Sequence, residues 1–206
     1  MPSSRSFVVV SGVDVKEWLR DLPSVSRLRP DRCPFCHGPS RPVGGNLRIW
    51  GHGTRERLLF GVFALGESPR AVTIKARRFQ CRHVDCGRTC TVLPRQALVH
   101  RRYLLPTVVA ALAMWTLHEE ALSTARIRAR LSPFHLLDHH SEWTSWPQLF
   151  RWAEAADLRQ VAAVDSADRH RQAERIAQAF AGRGPPSSRH LPLWRRAFLS
   201  ADEHRR

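Results

Sequence analysis

Four cysteines in two pairs carry the clearest chemical signal in this sequence. Cys33-Pro34-Phe35-Cys36 spaces two thiols as C-x2-C, and Cys81-Arg82-His83-Val84-Asp85-Cys86 spaces two more as C-x4-C, with Gly87 directly after. Two thiolates in so tight a turn face one side of a metal ion, and a second pair supplies the other side. Zinc takes four such ligands at tetrahedral corners, about 2.3 Å from each sulfur. The expectation is one structural zinc ion per chain, held by Cys33, Cys36, Cys81 and Cys86, with no position left open for catalysis. Loss of the ion would remove on the order of 10 kcal/mol of apparent folding free energy. Cys90 reads as a small core residue or free thiol. His37, His52 and His83 lie near enough to compete as ligands, though each alone reads as a loop or surface residue. All five cysteines fall within residues 33–90. An odd, clustered count argues against a secreted disulfide scaffold and for metal.

A second constellation is Asp138-His139-His140, with His135 and Glu142 nearby. Such a set suits metal binding or acid–base work, so a metal-dependent nuclease using His135, Asp138, His139 and His140 is one alternative. The cluster sits in a polar connector with no matched second motif, and a solvated loop is the preferred reading. Nothing resembles a phosphate-cradling glycine loop, a nucleophile elbow or a metalloprotease helix.

Charge points to a partner. The 206 residues carry 33 Lys+Arg against 18 Asp+Glu, a formal charge of +15. Lys16 and Lys75 are the only lysines. The guanidinium fork of arginine matches phosphate and the guanine edge, so a polyanion, nucleic acid first, is the expected partner. The competing reading is a solubility feature of an arginine-rich chain. No apolar run reaches the 18 residues of a membrane span. The first residues lack the pattern of a signal peptide, so the expected location is cytoplasmic.

The elements that would position these groups divide the chain. Residues 1–30 read as a lead-in, with a short strand at Phe7–Val10 and a helix over 13–22. Residues 31–94 read as a β zinc-ribbon domain. Its strands are expected at 46–50, 57–63, 71–79 and 89–93, with turns at Gly51-His52-Gly53-Thr54 and at 66–69. Residues 95–181 read as a helical, helix-turn-helix-like domain. Leu105–Leu117 is apolar nearly all round and should be a core helix. Ser123 or Thr124 caps a second helix to Leu131. Ser145 caps a third, with Leu149, Trp152, Ala153 and Ala156 on one face and Gln148 and Arg151 on the other. A fourth helix is expected over 158–181, and 182–206 as a loosely attached tail. The fold class is therefore α+β: a zinc ribbon followed by an all-α domain.

The order Cys33-Pro-Phe-Cys36, Ile49-Trp-Gly-His-Gly-Thr-Arg-Glu-Arg57, Arg77-Arg-Phe-Gln-Cys81 and Cys86-Gly-Arg-Thr-Cys-Thr-Val-Leu-Pro94 resembles the N-terminal zinc ribbon of bacterial insertion-sequence transposases and their stand-alone relatives. In that family a helix-turn-helix follows, and Trp146-Pro-Gln-Leu-Phe-Arg-Trp152 resembles its recognition helix. The resemblance covers residues 31–157 and implies sequence-specific binding of double-stranded DNA. Three features depart from the family. The second knuckle is expanded to C-x4-C, and the 132–144 link is longer than a helix-turn-helix turn. After Trp152 too little chain remains to carry an acidic triad on strands. The expectation is therefore a DNA-recognition module or regulator that is not an enzyme, with a separately encoded transposase as a candidate partner. Gln148 suits adenine and Arg151 guanine, while Arg126, Arg128 and Arg130 would touch phosphates. The other alternative is a zinc-ribbon adaptor for protein or RNA. Phe60, Phe63 and Phe79 are the candidate stacking residues for RNA, although core positions suit them better.

Overall fold

The computed structural model of the chain describes residues 7–99, 101–134, 146–162 and 167–203. Among these the protein is α+β, with a four-stranded sheet and eight helices. No helix among the described residues is long and apolar enough to cross a membrane. Contacts divide the chain into two compact units, one of residues 1–59 and 72–101, the other of residues 60–71 and 102–206.

The first unit is built on the sheet, ordered β1-β4-β3-β2. β1 (Phe7–Val10) is a β-branched run that pairs parallel with β4 (Thr89–Leu93), from Phe7 opposite Cys90 to Val10 opposite Leu93. β4 is central and is buried from Cys90 to Leu93. β3 (Arg70–Cys81) runs antiparallel to it, with Arg77 opposite Val92 and Gln80 opposite Thr89. The 1–30 segment, expected as a lead-in, is thus part of the sheet unit. It is tied down further by α1 (Val15–Arg20) and α2 (Val25–Leu28). Asp14 caps α1 by accepting from the Lys16 amide, and its other oxygen accepts from Arg95 at 2.8 Å and Gln96 at 2.6 Å. Gln96 in turn accepts from the Val15 amide at 2.9 Å. Trp18, 4% exposed, donates its indole N–H to the Lys75 carbonyl.

β2 (Ile49–Gly61) departs from expectation: the chain runs through Gly51–Thr54 as strand instead of turning there. Two glycines in an extended run read as a turn because turns select glycine. Here Gly51 is small for a different reason. A Cβ on it would lie 3.0 Å from Val25 Cγ1. Gly53 has φ +80, and an edge strand with one neighbour tolerates such an irregularity.

The second unit gathers the far end of β2, the start of β3, their 62–69 connection and the remaining helices. Gly61 has φ +124, and a Cβ there would lie 2.2 Å from Thr107 Oγ1. The same hydroxyl accepts from the Val62 amide at 2.9 Å, so only a glycine lets β2 approach α3 (Leu105–Thr116) this closely. α3 is buried from Leu105 to Met114, as its all-round apolar sequence requires. α4 (Thr124–Leu131) and α5 (Pro147–Ala153) pack on it. Ser123 caps α4; the residue before α5 is Trp146, and Ser145 lies outside the described residues. The single helix expected over 158–181 is two, α6 (Ala156–Ala162) and α7 (Arg169–Gly182), and Asp168 caps the second through the amides of His170 and Arg171. The expected loose tail is instead a 3-10 turn at Pro186–Ser188 and a helix, α8 (Leu193–Glu203). α8 packs against both α3 and α7 and buries Ala197, Phe198 and Ala201.

Candidate metal centre

The two cysteine pairs converge. Cys33 Sγ lies 3.7 Å from Cys86 Sγ, Cys36 Sγ lies 3.7 Å from Cys81 Sγ, and all four sulfurs fall within 4.8 Å of one another. Disulfides are excluded, since their sulfurs sit about 2.05 Å apart. A tetrahedron with metal–sulfur bonds of about 2.3 Å has edges of about 3.8 Å, so the spacing fits one four-coordinate ion. The set could hold a metal ion with every corner supplied by the protein.

Each knuckle is shaped by the same backbone devices. In the first, the Cys33 amide donates to the Gly38 carbonyl at 2.9 Å and the Phe35 amide to Cys33 Sγ at 3.5 Å. In the second, the Cys81 amide donates to the Arg88 carbonyl at 2.9 Å and the His83 amide to Cys81 Sγ at 3.5 Å. Both turns close through left-handed residues: His37 at φ 58 in one, Asp85 at φ 65 and Gly87 at φ 59 in the other. Gly87 therefore meets a backbone requirement. The second knuckle carries two further residues between its cysteines and still returns its sulfurs to the same cluster.

The thiols differ in their readiness to ionise. Burial alone would raise Cys33, but the amides of Cys36 and Phe35 and the neighbouring thiols of Cys36 and Cys81 outweigh it, and its pKa falls. Burial pushes Cys81 and Cys86 up, and for both of these the Cys33 and Cys36 thiols add to the rise. Cys90 is 3% exposed, outside the cluster, and burial with the nearby Cys33 pushes it up to about 11. It is the core residue the spacing suggested.

The histidines take other work. His83 reaches across to the first knuckle, where its Nε2 lies 2.9 Å from the Pro39 carbonyl and its ring covers Gly38. His37 supplies the left-handed turn, and His52 lies exposed on β2.

The expected DNA contacts are dispersed. On α4, Arg126 and Arg130 are exposed on one face, four residues apart. Arg128 is half-buried and close enough to Tyr103 to oppose, with Ser132, the rise that burial gives that phenol. On α5, Arg151 is exposed and Gln148 half-buried, while Leu149 and Trp152 are buried. The Trp146 amide donates to Thr124 Oγ1 at 3.2 Å, which sets the start of α5 beside the start of α4. A short helix-turn-helix link would instead bring the end of one helix to the start of the next. His135, Asp138, His139, His140 and Glu142 lie outside the described residues.

The sequence reading overlooked the aromatic surface. Phe60, Phe63 and Phe79 are 5%, 2% and 0% exposed and belong to the core. The exposed large aromatics among the described residues are Trp50 and Phe7. The alternation of Leu47 and Ile49 with Arg48 and Trp50, which puts Trp50 on the face opposite Ile49, was the available signal. Comparison with protein-family models, curated proteins and solved structures finds no match.

Proposed function

We propose that this chain is a zinc-dependent DNA-binding protein whose four thiolates hold one structural zinc ion and whose arginine-rich sheet unit grips phosphate. The observation that carries the reading is how charge is distributed. The unit containing the cysteine cluster holds seventeen of the 33 Lys+Arg but six of the 18 acids. Arg41, Arg48, Arg55, Arg82 and Arg88 are all exposed there. Such a surface binds polyanions by releasing condensed counterions, a term blind to sequence.

Zinc fits the donor set because four thiolates at tetrahedral spacing are soft ligands with no vacancy for substrate. Its role is to order the knuckles that carry Arg82 and Arg88. Base reading is assigned to α5, where Arg151 and Gln148 stand three residues apart, with Arg126 and Arg130 on phosphates. The motif order that resembles the transposase ribbon supports a transposon-related recognition module or regulator, acting by binding and not by catalysis. Selection of a preferred duplex from a random pool by the zinc-loaded protein tests this. Enrichment of one sequence supports it; failure to retain any duplex at low salt sinks it.

A further inference from the structure

We propose that Trp50 is a stacking platform for an unpaired base of single-stranded DNA. This rests on the DNA-binding reading above and adds to it a strand that is at least locally unpaired. Trp50 lies on β2, an edge strand of the sheet, and is 46% exposed. Its indole N–H is already used, donating to the Leu47 carbonyl at 2.9 Å. What it offers a ligand is therefore ring surface. The guanidinium of Arg82 stacks over that ring, 5.3 Å from its centroid. Arg82 is itself held by its amide, which donates to the Arg48 carbonyl at 2.7 Å. Among the described residues neither Arg82 nor Arg48 has a carboxylate partner, so both charges are available to phosphate.

A second stack of the same kind grows from the same knuckle. Arg88 lies over the Phe35 ring at 5.1 Å, and Phe35 meets Phe7, 47% exposed, edge-on at 5.5 Å. Arg82 follows Cys81 directly, and Arg88 comes two residues after Cys86. The knuckle thus fixes Arg82 on exposed Trp50 and Arg88 on half-buried Phe35.

Exposed aromatic faces beside unpaired arginines are what single strands use: bases stack on the rings and phosphates run along the cations. An intact duplex hides its base faces in its own stack and would use the arginines alone. In the bound state one face of Trp50 carries Arg82 and the other carries the base. Phosphates on either side of that base reach Arg48 and Arg82.

The test compares binding of oligothymidine and a blunt duplex of equal length to zinc-loaded protein. Trp50→Ala should lower oligothymidine affinity about tenfold or more and duplex affinity far less, through the freed Arg82 alone, with Trp50→Phe restoring part of the loss. Zinc content and thermal unfolding of each variant report that the sheet unit is intact. Equal loss on both DNAs, or no loss on oligothymidine, overturns the platform. A wild type that binds duplex but not oligothymidine overturns it too, while leaving the DNA-binding reading standing.

Discussion

His83 occupies the space that a side chain on Gly38 would need: a Cβ built on Gly38 would lie 2.6 Å from His83 Nε2. The two residues belong to different knuckles, so the contact locks one cysteine turn onto the other. His83→Ala removes the bond to the Pro39 carbonyl and should cost about 1 kcal/mol of holo-protein stability. Gly38→Ala should cost at least as much by expelling the ring. With the ring gone the methyl group has room, so the double variant should fall within about 0.5 kcal/mol of His83→Ala alone. Chelator competition and denaturant unfolding of the four proteins check this; strictly additive losses would refute the lock.

Metal retention should depend on pH. Cys81 and Cys86 are raised without metal, so an arriving ion must displace their protons. Protons therefore compete: affinity rises with pH and falls in acid. Release into a chromophoric chelator should accelerate steadily from about pH 8 to about pH 5. Retention independent of pH over that range would count against thiolate ligation.

The same logic separates the fifth cysteine. The thiolate is the reactive form, and Cys90 is held at about 11 and buried. After chelation, alkylation should modify exposed Cys36 quickly and buried Cys90 slowly. Mass mapping in which Cys90 reacts as fast as Cys36 would place it outside the core.

The helix formed by the last residues should matter to stability. Phe198 is 2% exposed on α8, and Phe198→Ala should cost about 3–5 kcal/mol. A loss near zero would mean α8 does not stay docked.

How much of this was legible follows from what each residue had to satisfy. The convergence of the cysteine pairs was legible because a four-thiol set able to hold a metal ion restricts spacing strongly. β1, β4 and α3 were legible from run length and residue type: short and β-branched in the strands, long and apolar all round in the helix. The course of β2 was not, since Gly51 answers to Val25, a partner 26 residues earlier, and not to a local turn. Nor was α8: Leu193 and Phe198 are both apolar, but only packing on α3 and α7 decides that Phe198 is buried while Leu193 stays 42% exposed. The division into units was hidden because it cuts through β2 and β3, where no change of composition marks it.

The proposed reading of bases by α5 predicts a division of labour. Arg151→Ala should reduce preference for a selected duplex by about 1–3 kcal/mol with little effect on scrambled DNA. Arg126→Ala should weaken both alike and lower the salt slope by about one. The start-to-start arrangement of α4 and α5 makes this a demanding test. If Arg151→Ala lowers both affinities equally, α5 does not read bases.

The central claim is that a metal-ordered, arginine-rich unit binds DNA. Its most direct test is the affinity of the protein for a duplex across a salt series, measured zinc-loaded and again after the ion is stripped by chelation. The account predicts that log affinity of the loaded protein falls linearly with log salt, with a slope of about −0.9 for each phosphate neutralised. It predicts that stripping collapses the affinity and that readding zinc restores it. Equal affinity with and without zinc, or binding insensitive to salt, would contradict it.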